Sequence, residues 1–463
     1  MSATLFSPQE SVQNRKTVLG TILGIAVLVY EFGDRPNVYT PLTAILAFIS
    51  FVFATLLILR PQKNLFWAGT AAALTGQIVS VIPMINNHST LFAALGVTIL
   101  VSLASNRFLP KGDIGNWFAR SEPFLRLVFL MGYGSAAISK LNSGFFDSTI
   151  SCANSMAKEV YAWFPMILPL FDWSGLPYIV AATELFVFLG LIFKVTRPWA
   201  ISIAVLFHFA LSLNLTSAAL AFNPALFATL PLFLTQQATD NLVVVGRTIQ
   251  NRITRNLKSF QIGVIAFVVI GYIFFFLIPL GSMQYYTRFL VTTFFSLIMI
   301  AVLIGSALGW RKVALSDRLT GVPGVLAWVT VAVLALNSAS PYLGGKTGST
   351  FTMYSNLKVE GGVSNHFFIP RLPIKTPQDD LVEIKYSSHQ KLMSFKANGE
   401  KVNWLVLQQL AKKLPDESVA YVRNGKTYQV AHMGEDKALM NMDPIAGTLF
   451  WYRYVPDDGR CEW

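Results

Sequence analysis

Residues 65–105 read LFWAGTAAALTGQIVSVIPMINNHSTLFAALGVTILVSLAS, two apolar runs joined by a short polar connection. The runs, 65–84 and 90–105, approach the length that crosses roughly 30 Å of hydrocarbon as a helix. The connection is so short that His88 must lie at or just inside the edge of a bilayer. Ionisable groups at that depth are unfavourable and often functional. The simpler alternative is that His88 is a polar turn residue at the water interface.

The composition supports a membrane protein. Of 463 residues, 53% are hydrophobic and only 13% charged, and the mean hydropathy is +0.51, which excludes a soluble domain of this size. The net charge of +12 comes mostly from Lys and Arg in short connections between apolar runs. Such cations report membrane orientation and contact anionic headgroups, so membrane lipids are expected partners and nucleic acid is not.

The apolar windows predict a polytopic α-helical membrane protein with about eleven transmembrane helices. Helices are expected because a lipid-exposed backbone must satisfy its own hydrogen bonds. Lys and Arg alternate between dense and sparse connections, which predicts a cytoplasmic N-terminus and, for an odd number of spans, an extracytoplasmic C-terminal region. The windows lie near 17–32, 41–59, 65–84, 90–106, 122–140, 177–195, 198–214, 216–234, 260–281, 289–308 and 321–339.

From about Pro341 the chain turns polar, which predicts a membrane domain over 1–340 and a small extracytoplasmic β-rich domain over 341–463. Alternating residues predict strands at 381–386, 418–423 and 449–455, and 404–413 has a helical pattern.

The two cysteines, Cys152 and Cys461, lack the spacing of a zinc site, and no metal is expected. One disulfide between them is possible only if both face an oxidising compartment. His366, His389 and His432 are scattered along the C-terminal region, and we interpret them as surface residues.

Threading the chain brings polar groups from several helices into one slice of the outer leaflet. Lys140 ends the fifth span, and Glu184 lies about two turns, roughly 10 Å, into the sixth. His208 and Asn214 lie in the outer part of the seventh span, and His88 lies in the outer connection between the third and fourth spans. This convergence predicts a site within the membrane.

Each residue has a simpler interpretation. Lys140 could extend to the interface as an end-of-helix cation. Glu184 and His208 could pair across helices as a structural contact. Asn87 and Asn214 could cap helix ends.

Four blocks in this order resemble the membrane domain of the vitamin K-dependent γ-carboxylases and the wider HTTM (horizontally transferred transmembrane domain) family. They are 86–91 (NNHSTL), 136–142 (AAISKLN), 184–214 and 225–233 (ALFATLPLF), within a resemblance that covers about residues 10–240. The segment 350–366 (TFTMYSNLKVEGGVSNH) is similar to a block of non-animal HTTM proteins.

The resemblance implies that Lys140 is the base that deprotonates a vitamin K-type hydroquinone, phylloquinone or menaquinone, with Asn87 and His88 in the same catalytic site. Glu184, His208 and Asn214 would support the bound cofactor. In that family the hydroquinone and O2 together provide the strong base that removes a γ-proton from glutamate, and CO2 then adds to the carbanion, a carbon–carbon lyase reaction.

A protein or peptide substrate on the outer side would then be expected. One lysine precedes Leu141 where the animal enzyme has two, and the chain is much shorter. Quinol chemistry is therefore implied more directly than peptide carboxylation. The alternative is a non-catalytic scaffold or lipid- or quinone-binding protein whose outer domain binds a partner. A transporter is disfavoured because no inverted repeat is visible.

Overall fold

The computed structural model describes residues 6–33, 40–83, 85–105, 117–161, 166, 169, 173–213, 219–253, 261–263, 265–266, 270, 283–309 and 325–461. Within these residues the chain is mostly helical, and a small antiparallel sheet lies near its C-terminus. The helices are α1 Pro8–Gly33, α2 Pro41–Leu59, α3 Asn64–Val79, α4 Asn87–Ser105, α5 Trp117–Ser139, α6 Ser143–Phe146, α7 Cys152–Tyr161, α8 Leu176–Ile192, α9 Arg197–Leu211, α10 Ala219–Thr229, α11 Gln236–Ile253, α12 Met283–Gly309, α13 Val325–Ala339, α14 Gln390–Ala397, α15 Trp404–Lys413, α16 Lys437–Met440 and α17 Pro444–Leu449.

Three of the described helices are long and apolar enough to cross a membrane: α2, α4 and Tyr286–Leu308 within α12. Four further apolar helices are shorter, so the expected count of eleven spans is not supported. The windows overestimate helix length because apolar sequence continues through residues where helices end, as at Ser212 after α9 and in the 3-10 turn Leu230–Phe233 after α10. The window 260–281 lies mostly outside the described residues.

The chain forms two compact units. Unit 1 contains Met1–Ser80, Leu91–Leu130 and Phe186–Ala332. Within it, α1 packs against α2, α10, α11 and α12. Gly24 permits the close approach of α1 to α2, since a Cβ there would lie 2.8 Å from the carbonyl oxygen of Ala54.

A buried ion cluster in unit 1 was not expected from the sequence. The Arg15 guanidinium donates to both oxygens of Glu122 at 2.8 Å and to the Leu234 carbonyl at 2.9 Å. Arg126, one turn after Glu122, pairs with the same carboxylate and donates to the Leu232 carbonyl at 2.6 Å. Arg15 is therefore a buried structural cation. It is not merely an exposed residue, in a connection between helices, whose charge indicates the membrane orientation.

Unit 2 contains Val81–Thr90, Met131–Leu185 and Val333–Trp463. Its antiparallel sheet has the order β4-β3-β1-β2-β5, and a core that includes Val382, Ile384, Leu407 and Tyr421 joins the sheet to α15. The strands are β1 Leu381–Ser387, β2 Glu400–Asn403, β3 Val419–Arg423, β4 Lys426–Val430 and β5 Val455–Pro456.

The predicted strands at 381–386 and 418–423 correspond to β1 and β3, and the predicted helix has the bounds of α15. The predicted strand at 449–455 is not formed, because only Val455–Pro456 pairs with β2. The predicted boundary at residue 340, between a membrane domain and an extracytoplasmic domain, stays a prediction. The two units are defined by contacts within the chain and do not show where a membrane lies.

Candidate functional site

Lys140 and Glu184 form a buried ion pair in unit 2. The Lys140 Nζ lies 2.8 Å from Glu184 Oε2, and the two residues are 4% and 8% exposed. Nζ also donates to the carbonyls of Ala136 at 3.3 Å and Met353 at 3.5 Å. Two carbonyl oxygens therefore accept hydrogen bonds from the ammonium group, and the carboxylate compensates its charge at ion-pair distance. Because the side chain is enclosed by protein, it does not extend to the interface as the simpler interpretation required.

The end of α5 places Lys140, and Asn142 holds that end in position. The Asn142 amide donates to the carbonyls of Ser139 at 2.7 Å and Ser355 at 2.6 Å. Its Oδ1 accepts from the Phe145 N–H at 2.9 Å, which caps α6, and from Asn365 Nδ2 at 3.1 Å. All four hydrogen bonds of a fully buried amide are thus made. The only sequence signal for this role was an Asn shortly after a helix end.

A strained segment closes one side of the pair. Residues 349–356, which we call the left-handed segment, contain four non-glycine residues with φ between 51° and 60°: Ser349, Phe351, Tyr354 and Asn356. Such residues are uncommon in this conformation, and clusters of them occur preferentially at functional sites. The Lys140 acceptor Met353 belongs to this segment.

Asn87 anchors the left-handed segment to the start of α4. Its Oδ1 accepts the Phe351 N–H at 2.6 Å, and the Ser349 hydroxyl donates to the Ile85 carbonyl. His88 is buried at the next position of α4, which does not fit a turn residue exposed to water. Asn87, His88, Lys140 and Glu184 therefore all belong to unit 2.

A cleft of about 600 Å³ in unit 2 borders this region. Asn87, the first residue of α4, and Met353, whose carbonyl accepts from Lys140, both line it. Trp451, Arg453 and Arg460 also line it. The cleft, which we call the polar cleft, could admit a polar ligand next to the left-handed segment.

The remaining predicted residues are placed elsewhere. His208 belongs to unit 1, where its buried ring lies 5.1 Å from the Phe222 ring and 5.2 Å from the Phe207 ring. Asn214 lies outside the described residues. The contact of Glu184 within unit 2 is with Lys140, and the pairing of Glu184 with His208 stays a prediction.

Sequence reasoning also missed the buried carboxylate of Glu31. In unit 1, Gln77 donates to Glu31 Oε2 at 3.2 Å, and both side chains are buried. Glu31 escaped notice because it lies near the end of an apolar run, where an acid is expected to reach water.

His366 is buried, so its interpretation as a surface residue is wrong. Its Nδ1 accepts the N–H groups of Phe368 at 3.1 Å and Ile369 at 3.0 Å, which leaves Nε2 to donate to the Ile138 carbonyl at 3.0 Å. Burial lowers the pKa of His366, although the bond to Ile138 opposes the shift. Through these hydrogen bonds, the neutral imidazole holds residues 366–369 against the end of α5.

Cys152 and Cys461 form a disulfide, with Cα atoms 4.7 Å apart. Next to it, the Cys152 N–H donates to Asn356 Oδ1 at 2.7 Å, which ties the bridge to the left-handed segment. The bridge that the sequence left open is therefore present, and it joins α7 to the C-terminal part of unit 2.

Comparison of the chain with family models, with curated proteins and with solved structures finds no match in any of the three.

Proposed function

We propose that this protein is an integral membrane enzyme of the HTTM type that carries out quinol-dependent chemistry, with Lys140 as the base. The observation that carries the proposal is the buried pair of Lys140 and Glu184, in which an amine and a carboxylate meet at 2.8 Å away from water. Asn87 and His88 would orient the bound quinol, and glutamate γ-carboxylation is the reaction that the resemblance implies.

The pair provides a route for the proton that a base must accept. An amine that already carries three hydrogens cannot act as a base, so Lys140 must first transfer one proton to Glu184. The transfer takes place within the pair, between two buried side chains 2.8 Å apart, so it needs no exchange with water. The neutral Lys140 amine then takes the proton of a bound hydroxyl group, and Glu184 retains the first proton.

The chemistry of the pair fits a quinol hydroxyl. Once a proton has moved to Glu184, the neutral Lys140 amine can accept a phenolic proton, and its Nζ lies 5.9 Å from the centre of the buried Phe145 ring. When bound with O2, a vitamin K-type hydroquinone would supply the strong base for abstraction of a glutamate proton, and CO2 would be the second co-substrate. The polar cleft beyond Met353 is where a peptide substrate would approach.

The membrane arrangement belongs to the same proposal: a multi-pass protein with a cytoplasmic N-terminus and an extracytoplasmic region over 341–463. The disulfide between Cys152 and Cys461 supports the outward placement of the region, since such bonds persist in oxidising compartments.

The test is turnover by the purified protein in lipid nanodiscs. Menaquinone or phylloquinone hydroquinone, O2 and bicarbonate are supplied, and quinone epoxide is measured by mass. We expect epoxide from the wild type and from Lys391→Ala, an exposed lysine on α14, and none from Lys140→Met. Absence of epoxide from the wild type, or equal amounts from Lys140→Met, removes the catalytic assignment.

A non-catalytic scaffold or lipid- or quinone-binding protein is the second candidate. It is favoured by the surroundings of Lys140, whose amine finds an ion-pair partner and two carbonyl acceptors within the protein, as in a structural contact. In that case the double variant Lys140→Met/Glu184→Leu would fold and retain partner binding, and no epoxide would form in any variant.

A further inference from the structure

Two adjacent phenylalanines are held outward on unit 2. Phe367 is 54% exposed and Phe368 is 75% exposed, on a loop that also exposes Val363 and Ile374. We call residues 363–375 the aromatic loop. Contiguous apolar groups of this kind on a surface usually mark a contact with a membrane or a partner.

The loop does not collapse onto the protein, because hydrogen bonds hold its base. The Phe367 N–H donates to the Leu141 carbonyl at 3.0 Å, and the Ser143 N–H donates to the Asn365 carbonyl at 3.1 Å. His366 adds its bond to Ile138. The two phenyl rings are thus presented on a fixed backbone, attached on both sides of Lys140.

Aromatic rings connect this loop to the ends of two apolar helices. The centre of the Phe146 ring lies 4.7 Å from that of Tyr178, near the start of α8, and 5.7 Å from that of Phe367. In the other direction the His366 ring lies 5.5 Å from Tyr342, shortly after the end of α13. Aromatic residues collect where transmembrane helices leave the hydrocarbon.

The apolar surface continues from the loop onto these helices. Tyr178 and Ile179 are exposed on α8, and Val333 and Leu336 are exposed on α13. Within unit 2 the loop therefore extends a surface that two apolar helices already present.

Charge favours a lipid surface over a protein partner. Residues 363–375 contain no carboxylate. Their exposed cation is Lys375, since the Arg371 guanidinium is paired with Asp379 outside the loop. Cations beside exposed aromatic residues are the composition that binds the headgroup region, where the phosphates are anionic and the rings reach the acyl boundary.

We propose that the aromatic loop inserts Phe367 and Phe368 into the outer leaflet of the membrane that holds the helices. The inference rests on the membrane assignment in the proposed function, and it does not depend on quinol chemistry. Since the loop is bonded to the carbonyls of Ile138 and Leu141, it brings the lipid boundary next to Lys140, where a lipid-soluble substrate would enter.

The test measures the depth of a label at residue 368. Both native cysteines are engaged in the disulfide, so Phe368→Cys provides a single thiol for an environment-sensitive maleimide fluorophore. The labelled protein is reconstituted in phosphatidylcholine–phosphatidylglycerol nanodiscs and quenched either by doxyl lipids or by aqueous iodide. Phe294→Cys, on the exposed face of α12, is the lipid control, and Tyr428→Cys, exposed on β4, is the water control.

We expect the label at 368 to be quenched by doxyl lipids as strongly as the label at 294, and by iodide several-fold less than the label at 428. Iodide quenching equal to that at 428 overturns the inference, provided that 294 is quenched by lipid. Protection from both quenchers also overturns it, because a protein then covers the loop. If the label at 294 is itself quenched by iodide, the membrane assignment fails, and the proposed function fails with it.

Discussion

Removing one member of the Lys140–Glu184 pair should destabilise the protein far more than removing both. At 2.8 Å, two unit charges attract by about 6 kcal/mol if the effective dielectric constant is near 20. Burial of each ion has already cost several kcal/mol, so the net contribution of the intact pair is small. A single neutralisation leaves the other charge buried without compensation, which costs about 3–5 kcal/mol.

The variants are Lys140→Met, Glu184→Leu and their combination, and the readout is thermal unfolding in nanodiscs. For a unit of ~200 residues, 1 kcal/mol shifts Tm by about 2–4 °C, so each single variant should lose on the order of 10 °C. The double variant should recover most of that loss. The matched control is Lys385→Met/Glu383→Leu, an exposed pair on β1 that should contribute less than about 1 kcal/mol.

Additive losses in the double variant would refute the reasoning, because independent sites add and a buried ion pair does not. Wild-type stability in either single variant would refute it as well, since one charge would then be reaching solvent. A double variant that recovers stability and makes no epoxide separates the catalytic use of Lys140 from its structural contribution.

Three further predictions concern unit 2. Asn142→Ala removes four hydrogen bonds and should lower the free energy of unfolding by about 3 kcal/mol, measured as a loss of Tm. Burial acts to raise the pKa of Glu360, but the charge and hydrogen bonds of Arg453 hold that pKa below the usual 4.5. This stabilisation is present above pH 4.5 and is lost as the pH falls below it; a Tm profile from acid to neutral pH should therefore be flatter in Glu360→Gln. Replacing Cys152 and Cys461 by Ala should remove up to about 5 kcal/mol, and an unchanged Tm of the wild type in reductant would contradict it.

The spacing of apolar residues correctly predicted the elements whose sequence signal lies within a short stretch of the chain. The bounds of α15 follow from an apolar face at helical spacing, and β1 and β3 follow from alternation, since both signals lie within ten residues. Lys140 and Glu184 were identified because charges in apolar runs are rare. The count of eleven spans is not supported in the described residues, because hydropathy does not mark where a helix ends, as at Ser212.

The left-handed segment could not be predicted, because its contacts are distant in sequence. The Phe351 N–H donates a hydrogen bond to Asn87, 264 residues away, and no local motif predicts that partner. The buried state of His366 depends in the same way on Ile138, 228 residues away. The resemblance expected for residues 350–366 did not indicate that Met353 contacts Lys140.

The disulfide has a consequence for biosynthesis. Its two cysteines are 309 residues apart, so at ~5–20 residues per second the ribosome needs about 15–60 s between them. During that interval the Cys152 thiol is held in a reduced or temporarily protected form while the intervening helices are inserted. A nascent chain that stops before residue 461 would keep this thiol, and the cell could distinguish unfinished copies of the protein from finished ones by that group alone.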